Sequence, residues 1–339
     1  MFPSVTHTIT PDSEPSQFIL PDLTSDCHYP LRKSPHCYAI SRASDRWLAD
    51  VAQLVEPEIR GYLDMDTGAL AAACYPDADA FHLQVCVESI NWAFIIDDWM
   101  ESGIIDARGA LESCISALRD PINFDTEQVD AKMCKSYFSR FRETAGPGCT
   151  ERFIHAVELF FTAVAKQVDD RAKGNMYRLE SYTALRRDLV GVEPCFALIE
   201  FVARIDLPDE VVSHPVIKAL EHATIDHLAW ADDILSYNKE QSRGDEHWEN
   251  IVAVLMHDRG LDLQGAMDYA GQMCKDAIRR FESNRAILPS WEEEVDRQVA
   301  IYVEGLQNWI VGSLHWHLNS ARYGVTPDRI IKLLPKRSS

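Results

Sequence analysis

The sequence lacks any long uninterrupted apolar run and contains little glycine or proline. Apolar stretches such as 93–96 and 159–161 end at charged or polar residues well before the roughly 18 residues that indicate a membrane-spanning helix. We therefore predict no membrane span. Only 15 of the 339 residues are glycine and 16 are proline, which excludes collagen-like and Gly/Pro-rich disordered proteins. The first 18 residues have neither a basic start nor an apolar stretch, so no secretory signal is predicted.

Basic residues are also scarce. The chain has 33 lysines and arginines against 53 aspartates and glutamates, which gives a formal net charge of −20 at pH 7. A chain this acidic repels the phosphate backbone of nucleic acids, so we predict no nucleic-acid partner. A small anionic substrate would need metal cations to hold it, which is a first indication of a metal site.

Cysteines are present, but not in a pattern that predicts a disulfide framework or a zinc site. The nine cysteines are scattered, odd in number and never spaced as Cys-x-x-Cys. Scattered cysteines without a pairing pattern are typical of proteins in a reducing compartment. We therefore predict a cytoplasmic location.

Helical periodicity dominates the chain from about residue 45 to 325. Alternating strand-like segments bounded by Asn-Gly or Asp-Gly are absent, which argues against a sheet. No change in composition marks a linker, so we predict a single all-α domain over 21–326, with flexible ends at 1–20 and 327–339. Several helices are apolar on more than one face, as in a large bundle. The clearest predicted helices span 79–101, 151–170, 181–205, 215–240, 263–287 and 291–323.

One acidic cluster ends an otherwise apolar predicted helix. Asp97 and Glu101 are four residues apart and share a helical face, whereas Asp98 is expected to point elsewhere. Two stacked carboxylates without a basic partner repel each other, and negative charge at a helix C-terminus opposes the helix dipole. A solvated helix end is the simpler alternative, but this electrostatic mismatch favours a site that binds a cation.

A second stripe of oxygen atoms lies at the end of another apolar helix. Asp232, Ser236 and Glu240 are spaced four residues apart and therefore line one helical face. Oxygen ligands without His or Cys suit Mg²⁺, which keeps several waters and shares its coordination shell with substrate phosphates. An exposed acidic stripe would explain this segment alone, but two such helix ends favour a common metal site.

The few cations near these clusters are candidate anion-binding groups. Arg186 and Arg187 precede an apolar segment, and for at least one of them we expect pairing with a nearby carboxylate. Lys239 lies within the second stripe, and Arg322 and Tyr323 are expected to end the last long helix. A helix-terminal arginine is ordinarily explained by the helix dipole. Beside Mg²⁺, however, Arg, Lys and Tyr donors would hold a diphosphate.

The two acidic motifs resemble those of class I terpene synthases, most closely the microbial, fungal-type sesquiterpene synthases. Residues 97–101, DDWME, resemble the aspartate-rich DDxx(D/E) motif. Residues 232–240, DDILSYNKE, resemble the NSE triad, (N/D)DxxSxxxE, with lysine before the glutamate. The triad departs from the common pattern in having aspartate at its first position, which keeps a ligand and adds negative charge.

Three further positions match the family in order and spacing, so the resemblance covers nearly the whole chain. Arg187, with Gly191 four residues later, resembles the diphosphate-sensor arginine and the helix-break effector. Its position 45 residues before the triad also fits, although Val190 stands where a small polar residue is common. The Arg-Tyr pair at 322–323, with Trp316 before it, resembles the C-terminal pair and its pocket tryptophan.

The resemblance implies a class I terpenoid synthase-like helical bundle around a central apolar cavity. It implies a lyase that uses three Mg²⁺ ions to ionise farnesyl diphosphate, cyclises the carbocation to a sesquiterpene and releases diphosphate. The implied metal ligands are Asp97, Glu101, Asp232, Ser236 and Glu240. The implied diphosphate contacts are Arg187, Lys239, Arg322 and Tyr323, and the implied cavity residues are Phe94, Gly191 and Trp316.

Alternatives to this interpretation remain open. A chain-elongating prenyltransferase shares the fold and the first motif but uses a second DDxxD where this chain has the serine-containing triad. A synthase for a C10 or C20 substrate would carry the same motifs. An inactive helical binding protein is disfavoured because all three triad positions carry oxygen ligands. A histidine-based metal enzyme is rejected because the pairs 222/227 and 315/317 share no helical face. We expect a monomer or a homodimer.

Overall fold

The structure is a computed structural model that describes residues 17–174, 176–242 and 249–335. Helices account for almost all of its regular secondary structure. The prediction of an all-α fold is confirmed. The elements in chain order are β1 (Gln17–Ile19), α1 (Cys37–Val51), α2 (Glu58–Asp64), α3 (Thr67–Cys74), α4 (Ala80–Glu101), α5 (Ala107–Arg119), α6 (Val129–Thr144), α7 (Pro147–Ala172), α8 (Leu179–Leu189), α9 (Glu193–Ala203), α10 (Asp209–Val212), α11 (Pro215–Gln241), α12 (Ile251–Arg259), α13 (Leu263–Arg285), α14 (Glu293–Asn319) and β2 (Ile330–Lys332).

The long helices begin where the sequence supplies a cap or a proline. Asp79 caps α4 by accepting a hydrogen bond from the backbone N–H of His82 at 3.0 Å. Pro147 and Pro215 occupy the first positions of α7 and α11, where a missing N–H costs nothing. These starts fix the register of the three helices that carry much of the cavity wall.

Helix α11 lies at the centre of the bundle and packs along α13 and α14. Helix α14 in turn packs closely on α3. At Gly312 an added Cβ would lie 2.9 Å from the backbone carbon of Ala73, so only glycine allows this approach. The close contact holds the last long helix against the wall that α3 and α4 form.

The predicted helix 181–205 is two helices in the structure. Helix α8 ends at Leu189 and α9 begins at Glu193. Between them, Gly191 has φ +65°, in the left-handed region that favours glycine. Apolar spacing continues across the break, so the periodicity predicted a continuous helix and was wrong, whereas the family resemblance implied a break at this glycine.

The last long helix ends earlier than predicted. Helix α14 stops at Asn319, and the next residues form a turn that contains Arg322 and Tyr323. The expectation that these two residues end the helix is therefore wrong. Leaving the helix lets both side chains fold back toward the polar end of the cavity.

Both predicted flexible ends contain ordered strands. Residues 17–19 and 330–332 pair as antiparallel strands, with Phe18 opposite Ile331, and Phe18 is buried. Strand β2 is also attached to α11, because Asn238 donates a hydrogen bond to the Lys332 carbonyl at 2.9 Å. The predicted boundaries at 20 and 327 thus differ from the structure, and the remaining predicted ends at 1–16 and 336–339 lie outside the described residues. Three-residue strands are too short to produce a recognisable alternation.

Two further features bear on the sequence predictions. Every helix in the described ranges is too short or too polar to cross a membrane. All nine cysteines are free thiols, and seven of them are buried.

Candidate active site

A cavity of about 710 Å³ opens between α4, α7, α8, α9, α11 and α14. This volume lies within the range of about 300–1,000 Å³ that is typical of small-molecule sites. One end is lined by acidic, basic and hydroxyl side chains from α4, α8, α11 and the turn after α14. The walls also carry apolar and aromatic side chains from α4, α7, α9 and α14. The cavity therefore combines a charged end with an apolar chamber.

Helix α4 contributes three carboxylates to the charged end. Asp97, Asp98 and Glu101 all line the cavity, so the prediction that Asp98 points elsewhere is wrong. Asp98 lies 3.9 Å from the guanidinium of Arg322. Burial, with the neighbouring charges of Glu101 and Asp98, raises the pKa of Asp97 to about 7. A carboxyl with such a pKa favours a proton or a cation at neutral pH.

Helix α11 presents the second group of oxygen atoms to the same cavity. Asp232, Ser236 and Glu240 all line it, as their spacing predicts. Burial and the charge of Asp233 raise the pKa of Glu240 to about 7. The buried Oγ of Ser236 makes no hydrogen bond of standard geometry, although it lies near enough to Glu240 to favour the charged carboxylate. Two acidic helix ends thus meet across one cavity.

Cationic and phenolic groups surround Asp232. It accepts hydrogen bonds from Tyr323 at 2.7 Å and from Arg186 at 2.9 Å, and His317 lies 3.9 Å away. Burial favours the neutral acid, but these neighbours outweigh it, and the pKa of Asp232 lies below its ordinary value. Asp232 is therefore the most firmly ionised carboxylate of the stripe.

The donor set fits a hard divalent cation. The candidate ligands are all oxygen atoms, and the buried Oγ of Ser236 makes no hydrogen bond of standard geometry, so its lone pairs can coordinate a cation. Within the described ranges, no three His, Cys, Asp or Glu side chains converge closely enough to hold a metal ion by themselves. This arrangement suits Mg²⁺, which usually binds one or two carboxylates and completes its shell with water and substrate phosphates.

Three of the four predicted diphosphate contacts reach the cavity. Lys239, Arg322 and Tyr323 line its charged end. Arg322 also stacks over the ring of Phe94, with its guanidinium carbon 5.1 Å from the ring centre. These donors come from two separate parts of the chain, and folding brings them to the same end of the cavity.

Arg187 does not line the cavity, and its neighbour Arg186 does. Arg187 binds the buried carboxylate of Asp226 through two hydrogen bonds of 2.8 and 3.0 Å. The guanidinium of Arg186 instead reaches Asp232 and Asp233, each at 2.9 Å. Adjacent residues of a helix point about 100° apart, and here Arg186 faces the cavity while Arg187 faces Asp226 outside the cavity wall. The expectation that at least one of the two arginines pairs with a carboxylate is met by both.

The predicted cavity residues Phe94, Gly191 and Trp316 all line the chamber. The Phe94 and Trp316 rings lie 5.6 Å apart, and the Trp316 indole donates to the Met65 carbonyl at 2.8 Å. At Gly191 an added Cβ would lie 3.2 Å from the Phe160 ring, so the helix break packs directly on another cavity residue.

Several cavity residues were missed by the sequence interpretation. The sequence interpretation gave the diphosphate contact to Arg187 and not to Arg186, although the distance of Arg186 from Asp232, 46 residues, differs by only one from that of Arg187. Arg171 and Glu249, which form an ion pair, also line the cavity. They belong to no motif that we recognised, and because they are 78 residues apart, only folding brings them together.

Comparison with known proteins agrees with this geometry. Residues 88–280 match the family model described as terpene synthase family 2, C-terminal metal binding. Sesquiterpene synthase Agr1 of Cyclocybe aegerita is 39% identical over 330 residues, which cover 95% of this chain and 94% of that protein. Sesquiterpene synthase 2 of Postia placenta is 40% identical over 338 residues, which cover 98% and 99%. The crystal structure of an α-eudesmol synthase matches with a TM-score of 0.79 at 22% identity, covering 88% of this chain and all of that one.

Fold and site together define a helical enzyme with an acidic, metal-binding cavity mouth. The chain belongs to the terpene synthase family. The predicted family resemblance is confirmed, and the matched region, which spans both acidic motifs, implies the use of a divalent metal.

Proposed function

We propose that the chain is a Mg²⁺-dependent sesquiterpene synthase that ionises farnesyl diphosphate, cyclises the resulting carbocation and releases diphosphate. The observation that carries this proposal is the meeting of two acidic helix ends at the mouth of one apolar, aromatic cavity of about 710 Å³. The relatives that match nearly the whole chain are named sesquiterpene synthases, which favours a C15 substrate.

The proposed metal ligands are Asp97 and Glu101 for two ions and Asp232, Ser236 and Glu240 for a third. Support comes from their common cavity, from the raised pKa values of Asp97 and Glu240 and from the unsatisfied Ser236 hydroxyl. When bound, Mg²⁺ would supply the positive charge that stabilises the departing diphosphate.

The proposed diphosphate donors are Arg186, Lys239, Arg322 and Tyr323. Heterolysis of the allylic C–O bond leaves the electron pair on the diphosphate oxygen and a cation on the hydrocarbon. Fixed donors at the charged end stabilise the oxygen side of that bond as it breaks. Arg186 takes the role that the sequence pattern gave to Arg187, because its guanidinium reaches the cavity.

The apolar chamber is proposed to hold the carbocation. Phe94 and Trp316, with Trp92 and Trp309, present ring systems that attract a cation by about 0.5–2 kcal/mol each. Trp230 on α11 takes no part in this chamber, because it is buried outside the cavity wall with its ring 6.3 Å from that of Tyr182. An apolar wall also excludes water, which would otherwise capture the cation.

We also propose a location and an assembly for the enzyme. Nine free cysteines support a cytoplasmic location. We propose one domain of about the predicted extent, 21–326, enlarged by the two terminal strands, and a monomer or homodimer.

Incubation with geranyl, farnesyl and geranylgeranyl diphosphates plus Mg²⁺ tests this function. We expect volatile sesquiterpenes and inorganic diphosphate from the farnesyl substrate, and loss of both with Asp232→Ala. Adding isopentenyl diphosphate distinguishes the prenyltransferase alternative, since chain elongation gives a longer diphosphate in place of a hydrocarbon. An absence of diphosphate release from every substrate would contradict the proposal.

A further inference from the structure

The buried carboxylate of Asp226 lies between two arginines from different helices. Arg187 of α8 contacts both of its oxygen atoms, and Arg280 of α13 donates to one of them at 2.8 Å. The Asp226 side chain is only 2% exposed, whereas the two arginines are 28% and 46% exposed. We call Arg187, Asp226 and Arg280 the Asp226 clamp. None of the three lines the cavity.

Helices α8 and α11 are joined by two polar connections. The clamp is the one nearer the start of α11 and is called the lower connection. The upper connection consists of Arg186 and Tyr182, which bind Asp232 and Asp233 at 2.7–2.9 Å. Asp226 and Asp232 are six residues apart, which is about 9 Å along a helix. Two contacts separated by this distance fix both the position and the tilt of the short helix α8.

The two connections respond differently to the binding of metal and diphosphate in the proposed reaction. The upper one includes Asp232 and Arg186, which must exchange their mutual hydrogen bond for metal and diphosphate. Beyond Leu189, α8 is interrupted by the break at Gly191, so the following helix does not extend it. While substrate is bound, the polar attachment of α8 to α11 therefore depends more heavily on the clamp.

We propose that Asp226 and Arg187 are positioning residues. They hold α8 at the position along the axis of α11 where the guanidinium of Arg186 faces the diphosphate. Arg280 anchors the same carboxylate to α13, so the clamp joins three helices at one buried charge. This inference rests on the diphosphate-binding role proposed above for Arg186. It gives Arg187 a function that acts through its neighbour, without contact with the substrate.

A double-mutant cycle on diphosphate binding tests the proposal. The binding of inorganic diphosphate in the presence of Mg²⁺ is measured by calorimetry for the wild type, Arg186→Gln, Arg187→Gln and the double variant. We expect Arg187→Gln to weaken binding about tenfold, since small displacements of a positioned group have effects of this size or larger. In the Arg186→Gln background, the same substitution is expected to cause no further loss. Independent, multiplicative losses would overturn the proposal.

Arg152→Gln is the matched control for a merely structural effect. Arg152 binds the buried carboxylate of Glu200 through two hydrogen bonds of 2.9 and 2.7 Å and lies outside the cavity wall. We expect it to lower the melting temperature without changing diphosphate affinity. Equal loss of affinity in this control and in Arg187→Gln would also overturn the proposal.

A conservative variant keeps the test valid if Arg187→Gln does not fold. Arg187→Lys retains the charge beside Asp226, and we expect it to restore most of the diphosphate affinity. A folded lysine variant that binds diphosphate as weakly as Arg186→Gln would contradict the proposed role of the clamp. Wild-type protein that binds diphosphate but makes no terpene contradicts the proposed function alone, because the cycle is measured on binding.

Discussion

Metal affinity should fall steeply between pH 8 and pH 6. Asp97 and Glu240 both have a pKa of about 7, raised from the ordinary values of 3.8 and 4.5 chiefly by burial. A metal ion binds only the deprotonated carboxylates, so each proton must leave first. At pH 6 this costs about 1.4 kcal/mol per group, and almost nothing at pH 8. Because Asp97 and Glu240 are proposed to hold different ions, each ion should bind about tenfold more weakly at pH 6, and the product of the two binding constants should fall roughly 100-fold.

The stability of the metal-free protein should change with pH in the opposite direction to its metal affinity, and should fall as the pH rises. Because the folded pKa values lie above the unfolded ones, both groups contribute stability below about pH 4 and lose it as the pH rises through 7. Bound Mg²⁺ removes this loss. The increase in melting temperature on adding Mg²⁺ should therefore be larger at pH 8 than at pH 6.

Calorimetric titration with Mg²⁺ at pH 6, 7 and 8 measures this dependence. Glu240→Gln removes the titrating group of the third ion and should reduce the pH effect on the product of the two binding constants to about tenfold. Glu294→Gln, at an exposed glutamate far along the chain on α14, is the control and should leave the full effect. Equal Mg²⁺ affinity of the wild type at pH 6 and pH 8 would refute the reasoning.

Three other substitutions have outcomes that the structure specifies. Gly191→Ala places a Cβ at φ +65° and 3.2 Å from the Phe160 ring, so we expect about 1–2 kcal/mol less stability and slower turnover, measured by thermal unfolding and kinetics. Trp316→Leu should alter the product mixture, analysed by gas chromatography, more than the turnover rate, and an unchanged mixture would count against its role in the cavity. Phe18→Ala should lower the free energy of unfolding by about 3 kcal/mol, because Phe18 is 2% exposed. The exposed neighbour Ile19→Ala should change it little, and similar losses in both would argue against a role of β1 in the domain.

The stripe of proposed metal ligands on α11 was predictable because helical geometry is local. Asp232, Ser236 and Glu240 repeat every four residues, and a helix of that register must place them on one face. The helix needed only to form, which its proline start and apolar pattern ensure. Spacing within one element is thus reliable evidence for a shared site.

The choice between Arg186 and Arg187 was not predictable in the same way. Both are on α8, and which of them faces the cavity depends on the rotation of that helix against α11. Buried carboxylates six residues apart on α11 set that rotation, and no pattern within α8 records it. The break at Gly191 was hidden from periodicity for a related reason, because its apolar neighbours pack equally well in a helix or a turn.

Residues that are synthesised late complete the site, and the attachment of β2 to α11 is among the contacts that form last. Asn238 and Gln241, on the last turns of the triad helix, bind the Lys332 and Leu334 carbonyls at 2.9 Å each. The side chains of Arg322 and Tyr323 leave the ribosome after the other residues of the cavity wall, and the two carbonyls that attach to α11 leave later still. A ribosome-bound chain that ends before residue 320 therefore has both acidic helices but an unfinished charged end. Such a chain should not ionise an allylic diphosphate before the hydrocarbon chamber has closed around it.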